Sequence, residues 1–306
     1  MTQDTEHICY FINQLKLSEE NNKTIFEIFN KINDNEIISC DFYNSVYAYS
    51  VAETMTIKEA KQKLYSIAED MAVSAYSIYL AFLIQCSENL LKKYISNHLS
   101  EELYWNAMDD IRCKTEECLD RYHVVGISPF EWYDGFFKLD RFALGRFQYE
   151  PLPFPVDFTT KNGIHIKKGT KSFNFHIPSS GISLTDAVRL DSYRQAYEFY
   201  QQRGETEGEY IVFKCSSWLL YPKHAMFLPP ESNMIKFLND FDIFESAEQD
   251  VFNYGFHIFG DMSGKAIDEL DEKTALQRSY KSWLLNGNKP GYGRGVIVFD
   301  GQKIIS

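Results

Sequence analysis

The first 125 residues of the chain contain neither glycine nor proline, although the whole sequence has 16 glycines and 9 prolines. Glycine and proline mark most tight turns, so this absence favours a compact block of helices. Apolar residues also recur at helical spacing after Thr56, and they predict helix through Leu91. They are Ile57, Ala60, Leu64, Ile67 and Met71. We therefore predict a helical domain over residues 1–125, or to about residue 150 if the first strand belongs to it.

The bulk properties of the chain limit the classes of protein to which it can belong. Its 306 residues are 44% hydrophobic and 16% aromatic, which is enough to bury a large core. The net charge of −12 argues against nonspecific binding to nucleic acid or to an anionic membrane. The apolar stretch 71–84 is shorter than the roughly 18–20 residues that cross a bilayer, and it predicts a buried helix instead.

The cysteines and the first residues of the sequence indicate a reducing compartment. Six cysteines are scattered without a CxxC pair, and residues 1–7 show neither the basic segment nor the apolar run of a secretion signal. We therefore expect reduced thiols and a cytoplasmic protein. Cys113, Cys118 and His123 match no zinc-site spacing, so no metal is expected.

Strand and helix patterns alternate after Gly126. The predicted segments are strand 143–150, strand 171–177, helix 185–202, strand 210–220, a helix opening at 229–233, an alternating apolar run at 251–259, a helix capped by Thr274, and strand 296–299. This order predicts a mixed α/β domain over residues 126–306, and the fold class of the whole chain is α+β. The glycines of 291–295 precede a strand, which argues against a dinucleotide-binding turn and favours a loop.

The connection between strand 171–177 and the following helix is the first candidate site. The strand runs through Pro178-Ser-Ser-Gly181, and Ser183 is the predicted N-cap of the helix. Free backbone amides and the positive end of the helix dipole converge at such a turn, where a phosphate binds favourably. The simpler interpretation is an ordinary strand–helix connection. Asn233, at the start of the next helix, either caps that helix or donates to a ligand carbonyl.

Three side chains are candidate catalytic groups: two at the ends of predicted strands and one within a predicted central strand. Glu150 and His176 can each act as a base, although a surface carboxylate and a histidine bonded to a strand-end carbonyl are the structural alternatives. Cys215 can act as a nucleophile, but cysteine in a strand is more often simply buried. A hydrolase built on Cys215 or Ser217 needs a histidine base nearby. The candidates are His176 and His224.

Five short segments together resemble a family of bacterial two-domain acyltransferase-like proteins, in which a helical N-terminal acyltransferase domain precedes a GNAT-like C-terminal domain. The segments are Leu144-Gly-Arg-Phe-Gln-Tyr-Glu150, His176-Ile-Pro-Ser-Ser-Gly-Ile-Ser-Leu184, Cys215-Ser-Ser-Trp-Leu-Leu-Tyr-Pro222, Leu228-Pro-Pro-Glu-Ser-Asn233 and Thr274-Ala-Leu-Gln-Arg-Ser279. They cover most of residues 125–295, and their order and spacing make the resemblance specific. The first third of the chain matches in helical character rather than by motif.

The resemblance implies a GNAT-like fold and acyl transfer from acetyl-CoA or another acyl-CoA to a small-molecule or peptide amine. By position, the amides of Ser179, Ser180 and Gly181 would hold the CoA diphosphate. The strand 210–220 would flank the pantetheine and leave a gap beside strand 171–177. Asn233 falls where GNAT proteins often place an asparagine that contacts CoA.

The resemblance also suggests catalytic roles and an alternative. Glu150 or His176 would be the base, and Cys215 an acyl carrier. GNAT phosphate turns usually carry Arg or Gln and two glycines, whereas this turn has only Gly181 and Pro178 lacks an amide donor. Residues 230–244 contain no tyrosine, the residue that often serves as general acid. The alternative is therefore a catalytically inactive, GNAT-shaped ligand-binding module.

Overall fold

The computed structural model of the protein describes residues 3–206, 208–262 and 264–306. The chain separates into two compact units, which divide between Phe142 and Ala143. The first, called the helical unit below, is built from helices; the second, called the sheet unit, combines a mixed sheet with helices. The predicted α+β fold class, a helical region followed by a mixed α/β region, is therefore confirmed.

The helical unit is organised around one buried helix, α5. Its helices are α1 (Gln3–Leu15), α2 (Glu19–Asn33), α3 (Glu36–Ser50), α4 (Ile57–Asp70), α5 (Ala75–Ser96), α6 (Glu101–Tyr122) and the short α7 (Asp134–Phe137), which follows a 3₁₀ turn at Phe130–Tyr133. Residues 77–87 of α5 are buried without interruption, and this helix packs against α1 to α4 and α6. The predicted buried helix is thus confirmed. Within the described residues, no helix has both the length and the apolar character needed to cross a membrane.

Several turns in the helical unit use residues other than glycine. Six connections place a non-glycine residue in the left-handed region, at a cost of about 1–2 kcal/mol each. These residues are Lys16, Glu53, Ala72, His98, His123 and Leu139. The predicted continuous helix from Thr56 through Leu91 is wrong for this reason, because α4 ends at Asp70 and Ser74 then caps the N-terminus of α5.

A six-stranded sheet forms the centre of the sheet unit. Its strands are β1 (Phe142–Leu144), β2 (Phe147–Pro151), β5 (Phe173–His176), β6 (Ile211–Ser217), β7 (Asp242–Glu248) and β8 (Gly291–Phe299), in the spatial order β1-β2-β5-β6-β8-β7. A separate hairpin contains β3 (Phe158–Thr159) and β4 (His165–Ile166). The helices are α8 (Asp186–Gln202), α9 (Asn233–Asn239), α10 (Phe256–Phe259) and α11 (Ala275–Leu285). All strand pairs with a defined direction are antiparallel except β5 with β6.

Three strand predictions in the sheet unit need correction. The segment 143–150 is a hairpin rather than one strand, because Gly145 takes a φ of +65° and turns the chain between β1 and β2. The apolar run 251–259 contains no strand in the structure; the strand of this region is β7, which pairs with β8. The glycines of 291–295 belong to β8 itself and do not form a loop.

The two faces of the sheet differ in character. One face carries aromatic residues such as Phe147, Phe175 and Phe213, which pack against Tyr193 of α8 and Phe237 of α9. The other face has an apolar patch made by Val212, Val296, Val298 and two residues from the β3–β4 region, Phe154 and Ile166. Beyond this patch, towards the ends of β2 and β5, the second face becomes polar, and this is where the candidate site lies.

Candidate functional site

The central feature of the site is a cleft between two parallel strands. β5 and β6 pair at only two positions, Phe173 with Phe213 and Asn174 with Lys214. Beyond that point β5 remains paired with β2 up to His176, while β6 remains paired with β8 up to Ser217. The carboxyl ends of β5 and β6 therefore part, as the resemblance implies, and backbone groups along the cleft have no partner from the opposite strand.

The turn at the mouth of this cleft joins β5 to α8. Gly181 adopts a φ of +76°, and Thr185 is the N-cap of α8, so the predicted capping role of Ser183 is wrong. Among the described residues, no hydrogen bond is made by the backbone amides of Ser179, Ser180 or Gly181. These amides lie in the loop that leads into α8, five to seven residues before its first residue, Asp186. A run of backbone amides without partners is a potential binding site for an anion.

Two side chains from elsewhere in the chain hold the turn in place. Arg146 donates from Nε to the carbonyl of Ile182 at 3.0 Å and from a terminal nitrogen to the carbonyl of Pro178 at 2.8 Å. Asn233 donates from Nδ2 to Oγ of Ser183 at 2.8 Å. The sequence pattern did not identify Arg146, because a continuous strand over 143–150 would make it an ordinary strand residue; the hairpin changes its surroundings.

Asn233 does not cap its own helix. Ser232 is the N-cap of α9, with its hydroxyl accepting from the amide of Ile235, and Asn233 is the first helical residue. The capping interpretation of Asn233 is therefore wrong. Its amide instead connects the start of α9 to the turn before α8, so it lies beside the candidate phosphate-binding segment.

A cluster of three polar side chains occupies the neighbouring strands β2 and β5. Glu150 lies opposite Asn174 in the antiparallel register, and His176 lies two residues further along the same face. His176 Nε2 is 2.8 Å from Glu150 Oε1 and 2.9 Å from Asn174 Nδ2. One ring nitrogen cannot both donate and accept, so we assign Nε2–H as the donor to Glu150. Asn174 then donates to the same carboxylate oxygen at 3.3 Å.

Partial burial makes this cluster suitable for proton transfer. The side chains of His176 and Glu150 are 31% and 21% exposed, so a substrate can reach them while bulk water is partly excluded. Lys214 of β6 lies opposite Asn174 on the same face and donates from Nζ to the carbonyl of Pro153 at 3.0 Å. Burial lowers the pKa of Lys214, and the Glu150 carboxylate partly opposes that shift. The polar face thus holds a carboxylate, an imidazole and an ammonium group on adjacent strands.

Comparison with known families and structures identifies what the chain is similar to. Residues 7–139 match the model of an N-acyltransferase N-terminal domain, and residues 142–297 match the model of a GNAT-like C-terminal domain. The chain belongs to this two-domain acyltransferase family. The expected resemblance is confirmed, and among curated proteins none matches the chain.

Solved structures of low sequence identity share the fold. One is a mutant acyltransferase in complex with octanoyl-CoA, with a TM-score of 0.72 and 16% identity over 96% of this chain and 88% of that chain. Another is an acyltransferase in complex with decanoyl-CoA and teicoplanin, with a TM-score of 0.69 and 16% identity over 94% of this chain and 86% of that chain. A third is an acyltransferase in complex with CoA and 10C-teicoplanin, with a TM-score of 0.69 and 16% identity over 93% of this chain and 85% of that chain.

Cys215 lies on the face of the sheet opposite to the polar cluster of Glu150, Asn174 and His176. Its register on β6 places it on the side of Phe213, two residues along, whereas Lys214 shares the face of Glu150. The residue is 3% exposed, and burial raises the pKa of its thiol, which disfavours the nucleophilic thiolate. The role of Cys215 as an acyl carrier stays a prediction, and the geometry provides no support for it.

His224 is buried in a separate aromatic cluster and is engaged there. Its Nε2 forms a hydrogen bond with the hydroxyl of Tyr280, and the ring packs edge-on against Trp218 and Phe227. A histidine committed in this way is not available as a base for Cys215 or Ser217 of the cleft. The described residues also contain no group of three or more His, Cys, Asp or Glu side chains able to hold a metal ion.

Acid should destabilise the protein through His224. Burial lowers the pKa of His224 from 6.5 to about 4, so the folded state keeps the ring neutral while the unfolded state gains a proton. Stability is therefore fully present above pH 6.5 and falls by up to about 3 kcal/mol as the pH drops to 4. Urea unfolding at pH 7 and pH 4.5 measures this loss. The His224→Asn variant should show a smaller pH dependence, whereas exposed His165→Asn should retain the wild-type dependence.

Proposed function

We propose that this family member is an acyl-CoA-dependent N-acyltransferase. The observation that carries the proposal is the cleft between β5 and β6, which ends at a turn whose amides of Ser179, Ser180 and Gly181 make no hydrogen bond to the described protein. A cleft of this form can receive an extended pantetheine, and the turn can receive a diphosphate. The similar solved proteins bind CoA, octanoyl-CoA and decanoyl-CoA, which supports the proposal.

Each part of the coenzyme has a corresponding element of the sheet unit. The diphosphate accepts hydrogen bonds from the amides of residues 179–181, in the loop that leads into α8. Asn233 contributes by holding Ser183 and stands within the same anion-binding region. The pantetheine extends along the open edge of β6, where residues 215–217 offer backbone groups on the side that β5 leaves unpaired.

The chemistry follows from the polar cluster beside the cleft. The amine nitrogen of the acceptor attacks the thioester carbonyl, a carbon–nitrogen bond forms, and the carbon–sulfur bond breaks when CoA leaves as a thiolate. The amine must lose a proton, and the hydrogen-bonded pair of Glu150 and His176 accepts it. Backbone N–H groups at the open edge of β6 stabilise the negative charge on the carbonyl oxygen. The pair later gives this proton up to solvent and the CoA thiolate takes one proton from solvent, so the products are the amide and the free thiol of CoA.

The acyl group is proposed to be of medium chain length, and the acceptor an amine. The solved relatives carry octanoyl and decanoyl groups on CoA, and two of them were crystallised with teicoplanin or 10C-teicoplanin. Release of CoA from acetyl-, octanoyl- and decanoyl-CoA should be compared against a panel of amines that includes teicoplanin. A higher kcat/KM for the longer chains would support the assignment, and a preference for acetyl-CoA would contradict it.

Blocking the turn should abolish coenzyme binding. In the Gly181→Trp variant, the indole covers the neighbouring amides and the residue loses the φ of +76° that glycine adopts freely. We expect the Kd for CoA to rise at least about 10-fold, which corresponds to the loss of one charge-assisted hydrogen bond or more. Isothermal titration calorimetry measures the Kd.

Gly169→Trp is the matched control for this variant. Gly169 also has a positive φ, +88°, and an added side chain there meets open space, but it lies in the loop before β5. It should bind CoA like the wild type. If both variants bind CoA equally, or if the wild type binds no CoA, the proposed coenzyme site is wrong.

A ligand-binding module without turnover is the second candidate function. Two observations favour it: Pro178 removes one amide donor from the turn, and the described helix α9 contains no tyrosine that could act as general acid. A thiol-trapping assay separates the candidates. A protein that binds CoA in the calorimeter but releases no free thiol with any amine of the panel is a binding module, whereas thiol release establishes transfer.

A further inference from the structure

We propose that Arg146 is a positioning residue of the coenzyme site, which holds the turn 178–182 so that its amides face the diphosphate of CoA. This inference rests on the proposed function. Arg146 lies at the tip of the β1–β2 hairpin, outside the turn itself and outside α8. It therefore supplies the turn with a cation and with hydrogen-bond donors that come from another segment of the chain.

The guanidinium group spans the turn from end to end. It donates to the carbonyl of Pro178 at 2.8 Å and to the carbonyl of Ile182 at 3.0 Å, so one rigid planar group fixes two positions four residues apart. The residue is only 9% exposed, which strengthens these charge-assisted bonds relative to bonds in water. Within the part of the chain that the structure describes, this segment has no internal backbone–backbone hydrogen bond, so the two contacts of Arg146 restrain its conformation.

The two contacts of Arg146 also fix the direction of two backbone amides in the turn. In a trans peptide the N–H points opposite to the C=O of the same unit, and the described chain has no cis peptide bond. The N–H of Ser179 shares its peptide unit with the carbonyl of Pro178, and the N–H of Ser183 shares its unit with that of Ile182. Both N–H groups therefore point away from Arg146, and that of Ser179 belongs to the proposed diphosphate site.

Arg146 also makes the turn a better electrostatic partner for an anion. A carbonyl that accepts a charge-assisted hydrogen bond is polarised, and its peptide N–H becomes a stronger donor. The positive charge of the guanidinium lies behind the turn, where it attracts a diphosphate bound in front without contacting it. Residues 178–182 contain no basic side chain of their own, so this positive charge comes from outside the turn.

The position of Arg146 is itself determined by α8. Ser192 of α8 donates from Oγ to the carbonyl of Leu144 at 2.5 Å and accepts from the amide of Phe147 at 3.2 Å. A side chain at Gly145 would lie 3.0 Å from the Cα of Ser192, so the hairpin tip packs directly on the helix. The hairpin, the turn and the start of α8 consequently form one connected support for the coenzyme.

Binding of CoA and of pantetheine by Arg146 variants tests the proposal. Arg146→Met removes both hydrogen bonds and the charge but keeps a long side chain, and we expect a Kd for CoA about 10- to 100-fold weaker than that of the wild type. Pantetheine has no diphosphate, so its affinity should not change. The kcat with an acyl-pantetheine donor should also stay at the wild-type value, while KM for the acyl-CoA rises. Arg194→Met, at an exposed position of α8, is the control and should behave as the wild type.

A lysine variant keeps the test decisive if the methionine variant fails to fold. Arg146→Lys retains the charge, but its single ammonium group cannot span both carbonyls in a fixed geometry, so we expect CoA to bind at least about 3-fold more weakly than to the wild type. Unchanged CoA affinity in a folded Arg146 variant overturns the proposal, and so does an equal loss for CoA and pantetheine. A wild type that binds no CoA would instead defeat the proposed function, which distinguishes the two failures.

Discussion

Replacing His176 with asparagine should lower kcat about 100- to 10,000-fold, with little change in the Kd for CoA. The range is that of a lost general base. The expectation follows from the position of His176 at the end of β5, where its Nε2 lies 2.8 Å from Glu150 beside the opening cleft. Asparagine keeps polarity and approximate size but does not take up the proton of the attacking amine. Single-turnover rates of CoA release, with saturating acyl-CoA and amine, measure the effect on chemistry alone.

Glu150→Gln is the companion variant and shows whether the two residues act together. If the carboxylate and the imidazole act as one proton acceptor, their losses in kcat are not additive. The kcat of the double variant should then be about equal to that of the slower single variant. His165→Asn and Glu198→Gln, both exposed positions of the sheet unit, are the matched controls and should keep the wild-type kcat. A kcat within about 3-fold of the wild type for His176→Asn, in a protein that binds CoA normally, would remove this pair from the mechanism.

Gly293→Ala should destabilise the sheet unit by about 3 kcal/mol, near the upper end of the usual range for overpacking. A Cβ at Gly293 would lie 2.1 Å from the carbonyl oxygen of Leu220, which is backbone and cannot rotate away. Leu220 ends the 3₁₀ turn Trp218–Leu220 that follows β6, and this turn packs directly on β8. Either the turn or the strand must therefore move. Urea unfolding followed by tryptophan fluorescence measures the free energy of unfolding.

Gly169→Ala provides the reference for backbone effects in the same unit. An added Cβ there meets open space, and the variant should lose only about 1–2 kcal/mol because alanine disfavours a φ of +88°. The difference between the two variants isolates the steric contact at Leu220. Equal losses for the two variants would show that the turn after β6 yields easily. That result would also imply that the open side of the cleft is less rigid than its packing indicates.

Local sequence patterns were sufficient to predict a helix or strand where the residues of that segment alone determine its structure. The apolar stripe after Thr56 and the apolar run within 71–84 predicted helix where α4 and the buried α5 lie, because burial of a helical face depends on spacing within one segment. They did not predict the break between the two helices. The order of strands and helices in the sheet unit was likewise recovered, although β7 was placed too late along the chain. Its true segment, Asp242–Glu248, is largely polar and depends on pairing with β8.

The sequence identified individual residues of the candidate site, but it did not predict which of them are in contact. Glu150 and His176 were each selected for standing at the end of a strand. Their 2.8 Å contact joins residues 26 positions apart, and it depends on the antiparallel register of β2 and β5, which places Asn174 opposite Glu150. Cys215 was selected as a potential nucleophile within a predicted central strand, and the register places it on the opposite face. The alternation of side chains along one strand determines which of its residues point to the same face of the sheet. The pairing and register of strands determine which residues of different strands lie side by side.

By itself, the sequence determined the helical character of the first 125 residues, the mixed strand and helix order that follows, and the presence of a strand–turn–helix connection at Gly181. These features depend on contacts between residues near one another in the chain. Tertiary structure alone decided that β5 and β6 separate after Asn174, that Glu150 meets His176, and that Arg146 reaches the carbonyls of Pro178 and Ile182. Each of these depends on hydrogen bonds between segments distant in the chain. Their geometry is set by strand register and by the hairpin at Gly145, neither of which a local pattern specifies.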